Sequence, residues 1–476
     1  MGIKIDIQPH ILKEILAIIK KYLPNTTLWA FGSRVKFTSK ITSDLDLVAF
    51  ITKEQKTAFS LVKEAFDQAD IPFRIDLHDW NEIPENFKKN IENQYIVLQE
   101  YKKEMLPNNW KKYKLGDVVE IKYGKDHKHL SIGKIPVYGS GGIMRFADKF
   151  LYDKESILIP RKGTLSNLFY LNKPFWSVDT MFYTKIKDGN NGKFLYYLLK
   201  SIDLASMNVG SAVPSLTTEI LNKLEINLPN KTTQTTIANI LSSIDDKIEL
   251  NRQTNFTLEA IAQTLFKEMC LPKSEVLPDG WRIGKLSEVC FVQNGYAFKS
   301  KDFTDEGEIG IIKIRNISNN LVDVINTQFV SVSIIKSLDK KFKIKTGSLV
   351  IAMTGAEVGK IGITPFSEKE LWLNQRVGMF VEKVKFANHF LFILLSSSEF
   401  QSILQNNSQG SAQPNISSTA IENINMTLPP IHIIEKFGEI VNPFFETILQ
   451  NEKETQTLII LRDSLLPKLM KGEIAL

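Results

Sequence analysis

Two stretches of the chain place apolar residues in an alternating four-and-three rhythm. The first runs through Ile237, Leu241, Ile244, Ile248, Asn251, Asn255, Leu258, Ala262, Leu265 and Met269. The second runs through Phe437, Val441, Phe444, Ile448, Asn451, Thr455, Leu458, Arg462, Leu465 and Leu469. This spacing predicts two long helices, each with a coiled-coil seam interrupted by polar residues at its centre. A helix of about 38 residues is ~57 Å long, enough to act as a rod. Asn251 and Asn451 hold matching mid-helix places, which favours an antiparallel pairing in which they meet and fix the register. Two unrelated amphipathic helices, each packed on its own domain, are the alternative. Elsewhere the pattern shortens to β-rich runs such as Ser156–Ile159 and Ser348–Ile351, bounded by glycine-containing turns, and predicts mixed modules.

The helices belong to a duplication. Leu106-Pro107-Asn108-Asn109-Trp110 returns as Leu277-Pro278-Asp279-Gly280-Trp281. Gly210-Ser211-Ala212-Val213-Pro214 returns as Gly410-Ser411-Ala412-Gln413-Pro414, and Leu228-Pro229 as Leu428-Pro429, in one register that continues along the helices. The copies differ most between the tryptophan and the Gly-Ser-Ala block. A constant frame with a variable insert suggests two modules that bind different things. The expected division is a domain at 1–105, a first module at 106–231, a central helix at 232–275, a second module at 276–430 and a distal helix at 431–476.

The N-terminal hundred residues carry a different pattern. The apolar run Leu28–Phe31 enters a turn at Gly32-Ser33, and Asp44-Leu45-Asp46 opens a second strand-like run. Alternation puts Asp44 and Asp46 on one strand face, where paired carboxylates can bind Mg²⁺. Asp76 is a third candidate, within Ile75-Asp76-Leu77. A Gly-Ser turn leading into a helix would offer backbone N–H groups to a triphosphate. The domain is expected to end near Tyr95, with a short helix from Tyr95 to Leu106.

Composition narrows the classes modestly. An apolar share of 43% is that of a globular protein with real cores. No apolar run approaches twenty residues, so no membrane span is expected, and the N-terminus lacks the order of a secretory signal, which points to the cytoplasm. Cys270 and Cys290 are too few for a zinc site or a disulfide framework. A net charge of +6 permits a nucleic-acid partner without requiring one. Two unlike modules on a rod suit duplex DNA, whose grooves repeat every ~34 Å. Arg161-Lys162-Gly163-Thr164, Lys313-Ile314-Arg315-Asn316 and Asn374-Gln375-Arg376 join turn residues to groups able to bond base edges, though each is equally readable as a solvated turn. Trp176 and Trp372 are assigned to cores.

From the Leu-Pro-x-x-Trp openings, the Gly-Ser-Ala blocks, the Leu-Pro pairs and Asp245-Asp246-Lys247-Ile248-Glu249-Leu250-Asn251, the chain over about residues 106–476 resembles the specificity subunits of Type I restriction–modification systems. The resemblance implies an α+β fold with two target-recognition domains separated by conserved helices. It also implies a bipartite target in double-stranded DNA. Its partners would be two methyltransferase subunits, which use S-adenosylmethionine, and motor–nuclease subunits, which hydrolyse ATP; the specificity part itself does no chemistry. Roughly residues 5–100 resemble the minimal nucleotidyltransferases of the polymerase-β type. Carried over, Gly32 and Ser33 would hold the nucleotide phosphates, and Asp44, Asp46 and Asp76 would coordinate two Mg²⁺ ions. An inactive remnant is the other reading of that domain. Two alternatives stand beside DNA recognition: a nucleotidyltransferase whose repeated half selects its substrate, and an adaptor binding proteins at two sites.

Overall fold

A computed structural model describes residues 4–40, 42–101, 107, 109–207, 215–407, 414–474 and 476. The chain divides into two compact units, Met1–Leu106 and Pro107–Leu476. The Gly-Ser-Ala blocks lie outside the described residues apart from Pro414, as do Leu106 and Asn108 of the first Leu-Pro-x-x-Trp opening.

The first unit is a four-stranded sheet. Its elements are α1 (Pro9–Tyr22), β1 (Thr27–Phe31), β2 (Leu45–Phe50), α2 (Lys56–Gln68), β3 (Ile75–Asp79), α3 (Glu85–Asn93) and β4 (Ile96–Gln99), with strand order β3-β2-β1-β4. β2 and β3 run parallel, so the chain between them must cross over, and α2 is that crossover. In α1 the apolar residues fall four apart, and Ile11, Ile15 and Ile19 bury onto Leu28, Ala30, Leu47 and Ala49. The opposite sheet face is covered by Trp29, Phe31, Phe50, Trp80, Ile83 and Ile91. Both faces of β2 are thus dry, except where Asp46 interrupts its apolar run.

The helix expected from Tyr95 to Leu106 is a strand at its start. Ile96–Gln99 pairs antiparallel with β1, and Tyr95 stacks on Trp29 at 3.8 Å. Ile96 and Val97 are β-branched and lie beside an open sheet edge, so backbone pairing wins over helix formation. Residues 102–106 lie outside the described set.

In the second unit each module closes on itself with a two-stranded clasp in the same register. Lys111–Lys114 pairs with Glu225–Leu228, and Arg282–Lys285 pairs with Asn425–Leu428. Inside each clasp sits a sheet of common layout. In the first module Val119–Tyr123, Met181–Ile186, Ser156–Pro160 and Phe169–Leu171 lie side by side. Their counterparts are Cys290–Asn294, Val377–Glu382, Leu349–Ala352 and Ile361–Ile363. A second sheet distinguishes the modules: three strands built on the hairpin Ile132–Gly139 and Gly142–Ala147 in the first, five strands in the second. Trp176 and Trp372 occupy equivalent places, each on a short strand parallel to the module's inserted strand, and both are buried.

The central helix (Lys231–Cys270) and the distal helix (Ile431–Met470) are 40 residues each and pack along each other. Asp245 meets Arg462, Asn251 meets Thr455 and Asn255 meets Glu452, so the pairing is antiparallel. Each helix enters both cores. Leu466, Leu469 and Met470 of the distal helix join Ile237 and Leu241 in the first module's core. Ala262, Phe266 and Cys270 of the central helix join Phe437, Val441 and Phe445 in the second. The four-and-three seam holds through the middle and changes at the ends. There Phe266, Cys270, Phe445 and Leu466 are buried, where the periodicity predicts Leu265, Met269, Phe444 and Leu465. A helix end wedged between its partner and a module core buries a wider stripe than a two-helix seam.

Candidate functional site

Three places carry the sequence-derived candidates, and the first lies on the N-terminal sheet. Antiparallel pairing sets Phe31 opposite Asp46, and parallel pairing sets Asp46 beside Asp76. The chain leaves β1 at Gly32 with φ +82°, and a Cβ there would collide with Asp46 Oδ2. Only glycine satisfies both the left-handed backbone and this approach. Burial, then the charge of Asp76, push the Asp46 carboxyl above its ordinary range; His78 opposes them, and Asp44 adds a smaller raising effect. Asp44 is exposed, and Asp76 pairs with Arg74 at 3.2 Å.

No helix follows Gly32-Ser33, contrary to expectation. Lys36 N donates to Gly32 O and Thr38 N to Ser33 O, closing a turn over residues 33–37. Phe37 ends it at φ +56°, a backbone conformation that cannot continue a right-handed helix. Arg34, which follows Gly32-Ser33, is structural. Its guanidinium stacks on Phe73 at 3.7 Å and donates to Ser43 O and Asp6 O, which anchors the segment carrying Asp44. Among the described residues no group of three His, Cys, Asp or Glu side chains is gathered closely enough to hold a metal ion.

The second place is one end of each module, where three loops converge in a shared hydrogen-bond frame. In the first module Arg161 N donates to Thr180 O, Leu216 N to Arg161 O and Val178 N to Tyr138 O, at 2.9, 3.0 and 3.0 Å. In the second, Met353 N donates to Arg376 O, Ile416 N to Met353 O and Asn374 N to Ile312 O, at 3.0, 3.0 and 3.1 Å. Lys162 bridges Ser215 as Thr354 bridges Asn415, and Gly163 and Gly355 follow at φ +90° and +81°. The loops are therefore equivalent, yet the side chains are not. Arg161 stands where the second module has Met353, and Arg376 where the first has Thr180.

The candidate contacts distribute unevenly over these loops. Arg161 is half-buried 5.2 Å over the Tyr123 ring, and Lys162 is exposed. Arg315, Gln375 and Arg376 are exposed and leave the ends of the adjacent parallel strands Ile309–Ile312 and Glu370–Leu373. Lys313 shares that end but turns inward. Its ammonium lies 3.3 Å over the Phe303 ring and donates to Gln328 Oε1 at 2.5 Å, and burial followed by the Arg315 charge lowers its pKa.

The third place is the helix seam. Asn251 and Asn451 do not bond side chain to side chain. Asn251 Nδ2 reaches the Asn451 backbone carbonyl at 3.4 Å and donates to Glu454 Oε2 at 2.9 Å and to Thr455 Oγ1 at 3.4 Å, while Asn451 Nδ2 donates to Asn255 Oδ1 at 2.8 Å. Each asparagine reaches the seam residue one turn beyond its counterpart, because the antiparallel register staggers the two by about a turn. No spacing signals the knot near the first module, where Asp245 accepts from Arg462 at 2.9 Å and from the Tyr197 hydroxyl at 2.7 Å. Burial, then that bond to Asp245, raises the Tyr197 pKa. Both cysteines are buried and unpaired, and burial pushes each thiol up to about 12.

The family described as Type I restriction modification DNA specificity domain matches residues 107–260 and 278–459. That described as Polymerase beta, Nucleotidyltransferase matches residues 13–104. The chain is 25% identical over 414 residues to the Type I restriction enzyme MjaIX specificity subunit of Methanocaldococcus jannaschii, covering 78% of this chain and 94% of that relative. Over 102 residues it is 42% identical to the probable protein adenylyltransferase MntA of Haemophilus influenzae, covering 21% of this chain and 89% of the relative. A solved Type-I restriction-modification system S subunit from M. genitalium has the same fold at a TM-score of 0.54 and 22% identity, covering 77% of this chain and 97% of that one. No helix among the described residues is long and apolar enough to cross a membrane.

Proposed function

The chain belongs to the family of Type I restriction modification DNA specificity domains and carries a polymerase-β-type nucleotidyltransferase domain, and from that premise we propose that it reads a bipartite sequence in duplex DNA. It would do so while scaffolding two methyltransferase subunits and the motor–nuclease subunits. The observation that carries this reading is one loop frame repeated in two modules with different side chains on it. A shared frame presents both modules to the same kind of ligand, and Arg161 and Lys162 on one side against Arg315, Gln375 and Arg376 on the other select different base edges. The helix pair sets their separation. From Leu241, in the first core, to Ala262, in the second, the central helix advances ~31 Å, close to the ~34 Å turn of duplex DNA. Asn251 and Asn451 would hold that register.

Inserting seven residues at the middle of each helix lengthens the rod by ~10 Å, or about three base pairs. Methylome sequencing of a host carrying the altered chain with its methyltransferase is expected to show a longer spacer between unchanged half-sites. An unchanged spacer overturns the reading.

The N-terminal unit supports a second, additional activity: transfer of a nucleotide from a nucleoside triphosphate to a hydroxyl acceptor, by the likeness to an adenylyltransferase a protein hydroxyl, in which the acceptor oxygen bonds the α-phosphorus, gives up its proton and displaces pyrophosphate. Its residues fit a divalent cation such as Mg²⁺, since Asp46 and Asp76 are adjacent hard oxygen donors whose mutual repulsion a cation relieves. Asp44, Asp46 and Asp76 would hold it only together with the nucleotide phosphates, since the three carboxylates do not by themselves close a metal site among the described residues. A cation there would polarise the α-phosphate. The backbone after Gly32, kept close to Asp46, would seat the phosphates beside Ser33, and Arg34 would steady Asp44. Incubation with labelled triphosphate, Mg²⁺ and the neighbouring subunits is expected to label a protein. Asp46→Asn is expected to lower that labelling about 100-fold or more, and equal labelling by the variant leaves only the remnant reading.

A further inference from the structure

We infer that the first module reads thymine methyl groups through Ile143 and Met144 at the tip of its hairpin, an inference that rests on the loop ends being the DNA-reading surface. The hairpin joins Ile132–Gly139 to Gly142–Ala147 through Ser140-Gly141. Just past this turn, Ile143 is 52% and Met144 60% exposed. With Phe146, 49% exposed on the same strand, they form an open apolar run, and clustered apolar surface rather than a single open side chain marks a contact site.

The tip is tied to the basic loop. Asn167 Nδ2 donates to Ser140 O at 2.9 Å, and a Cβ on Gly163 would stand 3.1 Å from Ser140 Oγ. Ile143 and Met144 therefore share one end of the module with Arg161 and Lys162, while exposed Lys134 and Lys149 lie at the base of the hairpin, beside Ala147. Apolar groups beside a basic loop fit a polyanion that also offers small apolar patches. In duplex DNA the C5-methyl of thymine is the apolar group on a base edge, and it faces the major groove. Groove width favours the same face: the ~12 Å major groove admits a two-stranded ribbon as it stands, whereas entry into the ~6 Å minor groove requires the duplex to be kinked or widened. Arg145 braces the ribbon, its guanidinium donating to Leu130 O at 2.6 Å, so the tip is presented on a stiff support. The second module has no counterpart, since its inserted strand Ile309–Ile312 lies within a five-stranded sheet and ends in Arg315.

The test uses the chain assembled with its methyltransferase subunits and a duplex bearing the methylated target, with uracil replacing thymine in one half-site at a time. Wild type is expected to bind about fourfold more weakly per methyl removed from one half-site only. The Ile143→Ser/Met144→Ser double variant is expected to bind the thymine and uracil duplexes of that half-site equally. Indifference of wild type to uracil in both half-sites overturns the inference without any variant. So does a double variant that keeps the full thymine preference, or one that loses its methyltransferase subunits when no DNA is present, which would assign the tip to a protein partner. Failure of the underlying reading shows differently: Lys162→Ala and Arg315→Ala would then leave DNA affinity unchanged.

Discussion

The two modules meet the helix pair with opposite chemistry at equivalent places. At the first module's end Asp245 faces Arg462, with the Tyr197 hydroxyl completing the carboxylate's partners. At the second, the residues in the corresponding positions are Phe445 and Ala262, both buried in the module's core with Phe266 and Phe437. The first junction is a hydrogen-bonded ion pair that is only partly exposed, and the second is an aromatic cluster. The frame thus tolerates a complete exchange of chemistry at its joints, provided each joint is internally satisfied. A polar joint gains direction from its bonds, and an aromatic one gains stability from buried area.

Breaking the polar joint should have the largest effect. Arg462→Ala leaves Asp245 in a half-buried place with only Tyr197 to satisfy it, at an expected cost of about 1–3 kcal/mol. The double change Asp245→Phe/Arg462→Ala, made together with Tyr197→Phe so that no buried hydroxyl loses its acceptor, copies the second joint onto the first and is expected to recover most of that loss, because an apolar pair of suitable volume commonly replaces an ion pair at little cost. Denaturant unfolding of wild type, single and combined variants measures both. Equal stability of the single variant and wild type would show that the pair contributes nothing, and a combined variant worse than the single would show that the joints are not interchangeable.

How much of this was legible beforehand follows the kind of interaction. Periodicity and the repeat register disclosed the helices and their antiparallel pairing, because a seam is a local pattern printed along the chain. The adjacency of Asp46 and Asp76 and the close approach of Gly32 to Asp46 rest on spacing within short strands, which is local in the same way. The partners of Asn251 and Asn451 were not, since the stagger between helices is decided by both cores at once. Nor was the inward turn of Lys313, which depends on Phe303 and Gln328 arriving from other strands. The equivalence of Arg161 with Met353 escaped for a different reason: their backbones share hydrogen bonds while their side chains share nothing. Ile96–Val97 misled because a short apolar run next to charged residues fits either element until a sheet edge is available.

The seam between the joints repeats the contrast on a smaller scale. Near the first module its charges are paired across the helices, as in Lys247 with Glu454 at 3.1 Å. Towards the second, Glu452 and Glu259 are more deeply placed, and burial raises the pKa of each; a hydrogen bond with Asn320 opposes the rise at Glu259 and the Glu452 charge adds to it, while Asn255 and Arg252 partly offset the effect on Glu452. A carboxyl whose folded pKa is raised binds its proton more tightly in the fold than in the unfolded chain. Stability therefore falls as pH rises from the ordinary glutamate range through the raised pKa, and that loss persists at neutral pH. Glu452→Gln removes it while keeping an acceptor for Asn255, so the variant is expected to melt slightly above wild type at pH 7, by less than about 2 °C. The gap should close as pH falls below the ordinary glutamate range, where both side chains are neutral. The same change at Glu454, whose carboxyl is held below its ordinary range by Asn251 and Lys247, should lower the melting temperature at pH 7. Melting curves of the two variants that move in the same direction at neutral pH would erase the distinction between the halves of the rod.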